Sequence, residues 1–395
     1  MSKPNPRLRV NPGGLLAPDQ VVGRDPLITS IWRGLERQSV LLTSERRMGK
    51  TSVMRRMTIA PPIGTCPVKR SLQGLNTPEE FARALVADVE ANLPGLLSRP
   101  ILKRLRKAGV KKVGAKSVEV EFEPVSEEAW KEVVIETLET VDSGVDERVV
   151  FFWDEVPHMI EAINRERGAG TARDMLDVLR FVRETYASVR MVFSGSLGIH
   201  HVIEKLRLQG GMWVPAHDMA MVDVPPLAAT DATFLALELL QNEGIECDDP
   251  AGVAAVVAAE VDCVPFYVHH TVAQMQQWQE GGGGLVGVAT AREVIEAVLG
   301  DPLDPWQLKH YVDRVPVYYP DQVELSFAVL DAIASAQPLD QVQIEEHLAA
   351  QGKPPGETEL HDLLELLCKD HYIEPGYDFR LSLVRRAWRA RRPPR

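Results

Sequence analysis

The chain has 395 residues, of which 45% are hydrophobic and 25% charged, the balance of an ordinary globular protein of roughly two to three domains. A formal net charge of −12 excludes a protein that coats nucleic acid with its whole surface, and no apolar run approaches the ~20 residues of a membrane span. The polar start, residues 1–14, lacks the apolar core of a secretory signal. Cys66, Cys247, Cys263 and Cys368 are scattered without metal-ligand spacing, so they are expected to be reduced and buried in a cytoplasmic protein.

Residues 1–17 read as a flexible tail. Val21 to Ile28 then precedes a helix carrying Ile31, Trp32 and Leu35, which leads into a short apolar strand, Ser39-Val40-Leu41-Leu42. The next stretch, Thr43 to Val53, reads Thr-Ser-Glu-Arg-Arg-Met-Gly-Lys-Thr-Ser-Val, and Val53, Met54 and Met57 have helical spacing. Strand, tight loop and helix is the setting of a phosphate-binding loop. The pattern G-x-x-x-x-G-K-[ST] is met at Gly49, Lys50 and Thr51, with Ser44 in place of the first glycine. Gly49 lets the backbone curl and aim N–H groups at phosphate oxygens. Lys50 would reach the β- and γ-phosphates, Thr51 would place a hydroxyl on Mg²⁺, and the helix N-terminus adds partial positive charge. A chance Gly-Lys-Thr at a helix start would look the same, so a second signal is needed.

Thr77 to Leu93 reads as an amphipathic helix with Phe81, Leu85, Val86 and Val89 on one face. Between Arg99 and Lys116 stand eight basic residues and no acid. Ser117 to Phe122 alternates as a half-exposed strand, within a basic insertion over about 95–125, and a helix runs from Ser126 to Val141. The second signal follows: Arg148 to Pro157 reads Arg-Val-Val-Phe-Phe-Trp-Asp-Glu-Val-Pro. An uninterrupted apolar strand belongs in a parallel sheet covered on both faces, and carboxylates at its carboxyl end sit where such sheets bind ligands. Asp154 would hold Mg²⁺ with Thr51, while Glu155 would orient and deprotonate the attacking water. A helix from Thr171 to Thr185 and a strand from Val189 ending in Ser194-Gly195-Ser196 complete this part. Phosphoryl transfer also wants a cation on the developing charge, and Arg207, before the strand Ala220 to Val224, is the candidate by position.

Val22-Gly23-Arg24-Asp25, a short helix, an apolar strand and Glu45-Arg46-Arg47-Met48-Gly49-Lys50-Thr51-Ser52 together resemble the AAA+-related archaeal-type ATPases, neighbours of the STAND signalling ATPases and of the origin-recognition ATPases. The resemblance implies an α/β P-loop NTPase core over 18–227, with ATP and Mg²⁺ as ligands. It further implies that Val22, Gly23 and Arg24 lie against the adenine and that either Ser194 or Ser196 is the sensor near the γ-phosphate. A helical lid would follow over 228–300, its Gly-x-Pro represented by Cys263-Val264-Pro265, with Pro265 near the nucleotide. Tyr267, His269 and His270 lack metal-ligand spacing and are read as packing and polar surface residues.

Asp301 to Pro305 and Pro316 to Pro320 read as linkers within 301–323. Helices Leu325–Ala336, Leu339–Ala350 and Glu357–Lys369 precede a strand pair, His371 to Glu374 and Asp378 to Leu383, which resembles a winged helix over 324–395. Its usual groove-entering helix carries Glu357, Glu359, Asp362 and Glu365 against Lys369, a charge that DNA phosphates repel. That favours a protein partner or another copy of the chain. Six arginines in the last eleven residues, 385–395, together with the basic 99–116 stretch, leave nucleic acid as the alternative partner, or are simply solvated basic faces. Three readings follow: a regulatory ATPase whose nucleotide state moves the lid and winged helix, a DNA-engaging adaptor, and a nucleotide-holding scaffold with little turnover. The departures at Ser44 and Cys263 motivate the last.

Overall fold

A computed structural model describes residues 7–96, 129–195, 198–207, 215–335, 339–352 and 355–392. The basic insertion, the strand expected at 117–122 and the start of the helix after it lie outside the described residues. The chain divides into two compact units, one of Arg24–Thr43 with Lys50–Val224, the other of Met1–Gly23 with Ser44–Gly49 and Pro225–Arg395.

The first of these units runs α1 (Asp25–Leu35), β1 (Val40–Thr43), α2 (Lys50–Ile59), β2 (Thr65–Ser71), α3 (Pro78–Asn92), α4 (Ala129–Gly144), β3 (Arg148–Asp154), α5 (Val156–Thr185), β4 (Val189–Phe193), α6 (Ile199–Arg207) and β5 (Ala220–Asp223). The strands form one parallel sheet in the order β2-β3-β4-β1-β5. Alternation along β3 sends Val149, Phe151 and Trp153 into a core shared with α3, α4 and α5. Phe152 faces the other way, edge-on to Trp32 of α1 at 5.8 Å. The apolar run is unbroken because helices cover both faces. Asp154, two residues after Phe152, falls on the Phe152 side.

Two features of this unit were not foreseen. β2 contains Pro67, opposite Val150, and a strand tolerates proline where it is an edge with no partner needing that N–H. The helix expected from Thr171 to Thr185 is preceded by another that begins at Val156, the two separated by a kink at Gly168 (φ 85°). The mostly polar stretch Asn164 to Gly170 interrupts the buried series Met159, Ile160, Ile163, Ala172 and Met175. By contrast α3 starts as its sequence dictates, with a capping box between Thr77 and Glu80.

In the second unit, residues 7–17 are not a free tail. Leu8 is buried, Arg9 pairs with Glu243 at 3.1 Å, and the Asn11 N–H donates to His269 Nδ1 at 3.3 Å. After a 3₁₀ turn at Pro18–Gln20, the unit continues with α7 (Ala229–Glu243), α8 (Pro250–Glu260), α9 (Pro265–Glu280), α10 (Val288–Gly300), α11 (His310–Asp313), α12 (Val315–Tyr318), α13 (Val323–Ser335), α14 (Gln341–Ala350), α15 (Glu357–Lys369) and α16 (Ser382–Arg391). Between the two stretches expected as linkers, Trp306, Leu308, Tyr311 and Val315 are buried, as is Tyr319 within the second, while Leu303 and Val317 are exposed.

The strand pair at 371–383 is corrected as well. A single antiparallel bridge joins Ile373 to Phe379, and the chain turns helical at Ser382. Leu383, Val384, Ala387 and Trp388 are buried along α16, and Asp262, far away in sequence, caps its start by accepting from the Leu383 N–H at 2.7 Å. Three of the terminal arginines are engaged inside the unit. Arg386 pairs with Glu260 at 3.0 Å and also with Glu296, Arg391 with Asp304, and Arg392 with Asp331. The four thiols are free but half-buried rather than buried. Among the described residues no helix is long and apolar enough to cross a membrane.

His269 carries a pH prediction. Burial, helped by the neighbouring His270, pushes its pKa down to about 4, and neutral Nδ1 accepts from Asn11. The unfolded histidine titrates near ~6.5, so between pH 6.5 and 4 the unfolded chain binds a proton that the folded one refuses. Stability therefore falls as pH drops through that window, by at most about 3 kcal/mol for this group. Denaturant titrations at pH 7.5 and 4.5 measure the loss, and His269→Gln should flatten it.

Candidate nucleotide site

The β1–α2 connection supplies the backbone of the site. Arg47 (φ 75°) and Gly49 (φ 90°) both take left-handed conformations, so the curl expected of Gly49 alone is shared with a second residue. A Cβ at Gly49 would meet no atom within 4 Å; its glycine answers to backbone angle, not to crowding. Ser44 is not among the left-handed residues. Its hydroxyl donates to the Glu45 carbonyl at 3.0 Å, and the chain tolerates a side chain there without strain. Met48 and Glu45 are buried, whereas Arg46 is exposed. The Arg47 guanidinium lies over the Phe266 ring at 3.9 Å and hydrogen-bonds Gln307.

Lys50 opens α2, and Thr51 and Ser52 follow in its first turn. Thr51 is exposed, and its Oγ1 donates to Asp154 Oδ2 at 2.7 Å. Residues 103 positions apart in the chain thus meet because the β3 pleat and the start of α2 share a face. The Ser194 hydroxyl, just past β4 and 1% exposed, donates to the other carboxylate oxygen, Oδ1. Both oxygens of Asp154 are therefore oriented by hydroxyls. Glu155 turns the chain from β3 into α5 in a left-handed conformation (φ 60°), and its Oε2 stands 3.4 Å from His158 Nε2.

One residue of this cluster was missed. Lys69 of β2 is paired in register with Phe152 of β3, so it shares the Asp154 face. Burial lowers its pKa while the Asp154 carboxylate pulls it back up. Its signal was the alternation of a strand that Pro67 disguised.

Each of the remaining candidates has its own surroundings. Ser196 lies outside the described residues. Arg207 ends α6 half-exposed, 3.5 Å from Glu204. Arg24 is buried, and Val22 is half-buried. Gly23 is required twice over: its φ is +70°, and a Cβ there would sit 2.7 Å from Asp231 Cβ. Pro265 takes the first position of α9. Before it, Asp262 (φ 51°) and Cys263 (φ 57°) adopt left-handed angles, so Cys263 reproduces the backbone that a glycine would have supplied.

Two of the solved structures that the chain matches extend over nearly its whole length. A Walker-type ATPase of Pyrococcus abyssi superposes with TM-score 0.61 at 17% identity, covering 97% of this chain and 99% of that one. The fold is that of the P-loop ATPases. The ORC2 protein of Aeropyrum pernix, solved as ADPNP–ADP complexes, superposes with TM-score 0.51 at 10% identity over 93% of this chain and 92% of that one. No family model and no curated protein matches the sequence. At these identities the likeness to the Walker-type ATPase and to the ORC2 protein shows the shared fold.

Proposed function

We propose that the chain is a Mg²⁺-dependent ATPase whose nucleotide state sets the arrangement of its C-terminal helices. The observation that carries this reading is the 2.7 Å bond between Thr51 and Asp154. It brings the hydroxyl after the loop lysine to the acid at the end of β3. Thr51 and Asp154 offer only oxygen, the donor chemistry a hard ion such as Mg²⁺ takes, and they are the residues that would hold it. Bound there, the ion would neutralise charge on the triphosphate. Lys50 and the loop N–H groups grip the phosphates, Ser194 fixes the carboxylate, and Glu155 takes the proton of the attacking water.

Residues 18–227 would form the ATPase core, 228–300 the lid, 301–323 the connection and 324–395 the C-terminal module. The ORC2 protein of Aeropyrum pernix was solved with ADPNP and ADP, which supports a nucleotide ligand here. The low-turnover reading weakens, since Ser44 is unstrained and Cys263 keeps a glycine-like angle. The DNA-adaptor reading weakens too, because Arg386, Arg391 and Arg392 are engaged internally. A protein partner or a second copy of the chain fits the C-terminal module better.

Lys50→Ala tests the site. Nucleotide affinity should fall at least roughly tenfold, the size of one lost charge-assisted contact, in a fluorescent-nucleotide titration. Unaltered affinity would remove the loop from the function.

A further inference from the structure

Glu45, the residue after Ser44 in the phosphate loop, has a fully buried side chain. An acid in that position needs a partner. Its partner is Arg314, on the turn between α11 and α12: Nη2 donates to Oε1 at 3.1 Å and Nη1 to Oε2 at 3.4 Å. The fork is bidentate, a geometry that fixes orientation as well as charge. The Arg314 guanidinium also lies against three rings, with centroids at 4.1 Å for Tyr372, 4.5 Å for Tyr311 and 5.5 Å for Tyr318.

From this cage the contacts run into the C-terminal helices. Arg314 Nη2 donates to the Asp370 carbonyl at 3.4 Å, and Tyr319 Oη donates to the Asp370 carboxylate at 2.5 Å. Tyr372 Oη donates to the Tyr311 carbonyl at 2.7 Å. Asp370 and Tyr372 immediately follow α15.

We propose that Arg314 is a positioning residue for the phosphate loop, and that the Glu45–Arg314 fork transmits nucleotide occupancy to the segment after α15. The proposal rests on the nucleotide reading of the loop. The fork holds Glu45 two residues before left-handed Arg47, and thereby sets the curl that presents the N–H groups. When phosphate tightens that curl, Glu45 moves, and the cage around Arg314 moves with it.

The test uses the full chain and compares wild type with Arg314→Lys, with the double variant Glu45→Gln/Arg314→Met, and with Lys50→Ala. Leaving one buried charge alone risks unfolding, so the double variant removes both charges at similar volume. Two quantities are read: Mg·ADP affinity, and nucleotide-induced change in hydrogen exchange of peptides spanning 367–381. In wild type, Mg·ADP should alter exchange there. The double variant should bind about tenfold more weakly, within the range of ordinary coupling energies, and lose the exchange response even at saturating nucleotide. Arg314→Lys, which keeps the charge without the fork, should restore part of the response. A double variant that melts earlier yet keeps wild-type affinity and response would overturn the proposal, because a merely structural pair behaves that way. Failure of wild type to bind nucleotide at all, with Lys50→Ala indistinguishable from it, would instead overturn the reading of the site and the proposal with it.

Discussion

Glu155→Gln should hold ATP as wild type does while turnover falls by roughly 10²–10⁴-fold, the usual contribution of a general base. Glutamine keeps the length of the side chain and can take the same left-handed backbone, φ 60° at the start of α5. What it lacks is a lone pair basic enough to accept the water's proton. Phosphate release should drop while equilibrium binding stays put, so ATP accumulates on the protein. Phosphate release equal to wild type would strip Glu155 of this role. The neighbouring His158, 3.4 Å from Oε2, would then be the next group to replace.

The second large effect lies one residue upstream of the metal-binding candidate. Trp153 is 1% exposed, edge-on to Phe81 at 5.1 Å and stacked on Phe193 at 5.9 Å. Trp153→Ala should cost about 3–5 kcal/mol, since a rigid core closes only partly around so large a void. In a unit of this size that is a fall in Tm of roughly 10 °C. Calorimetry of the full chain measures it. A loss below about 1 kcal/mol would mean that the sheet and α3 collapse into the space. Because Asp154 is next in the strand, nucleotide affinity should fall along with stability.

The Asp-Glu strand and the Gly-Lys-Thr loop were legible because their chemistry is written in adjacent residues. A run such as Val149 to Trp153 has only one comfortable home, a strand with both faces covered. Thr77 and Glu80 likewise announce a helix start on their own. β2 was not legible, because Pro67 argues against a strand until its edge position is known. The segment Asp378 to Leu383 misled for the opposite reason. Its alternation fits a strand, but Asp262 caps a helix at Ser382 and Trp388 is buried against its neighbours.

Sequence alone determined that a Gly-Lys-Thr loop between strand and helix and a carboxylate-tipped strand are present, since each is a local pattern with a local physical cause. Only the tertiary structure decided that Thr51 and Ser194 share the two oxygens of Asp154. It alone revealed Lys69 on the same face, and Arg314 in a tyrosine cage against Glu45. Those meetings join residues far apart in the chain. Where the charge is buried, as at Asp154 and Glu45, little water is left to satisfy it, and the partner matters the more.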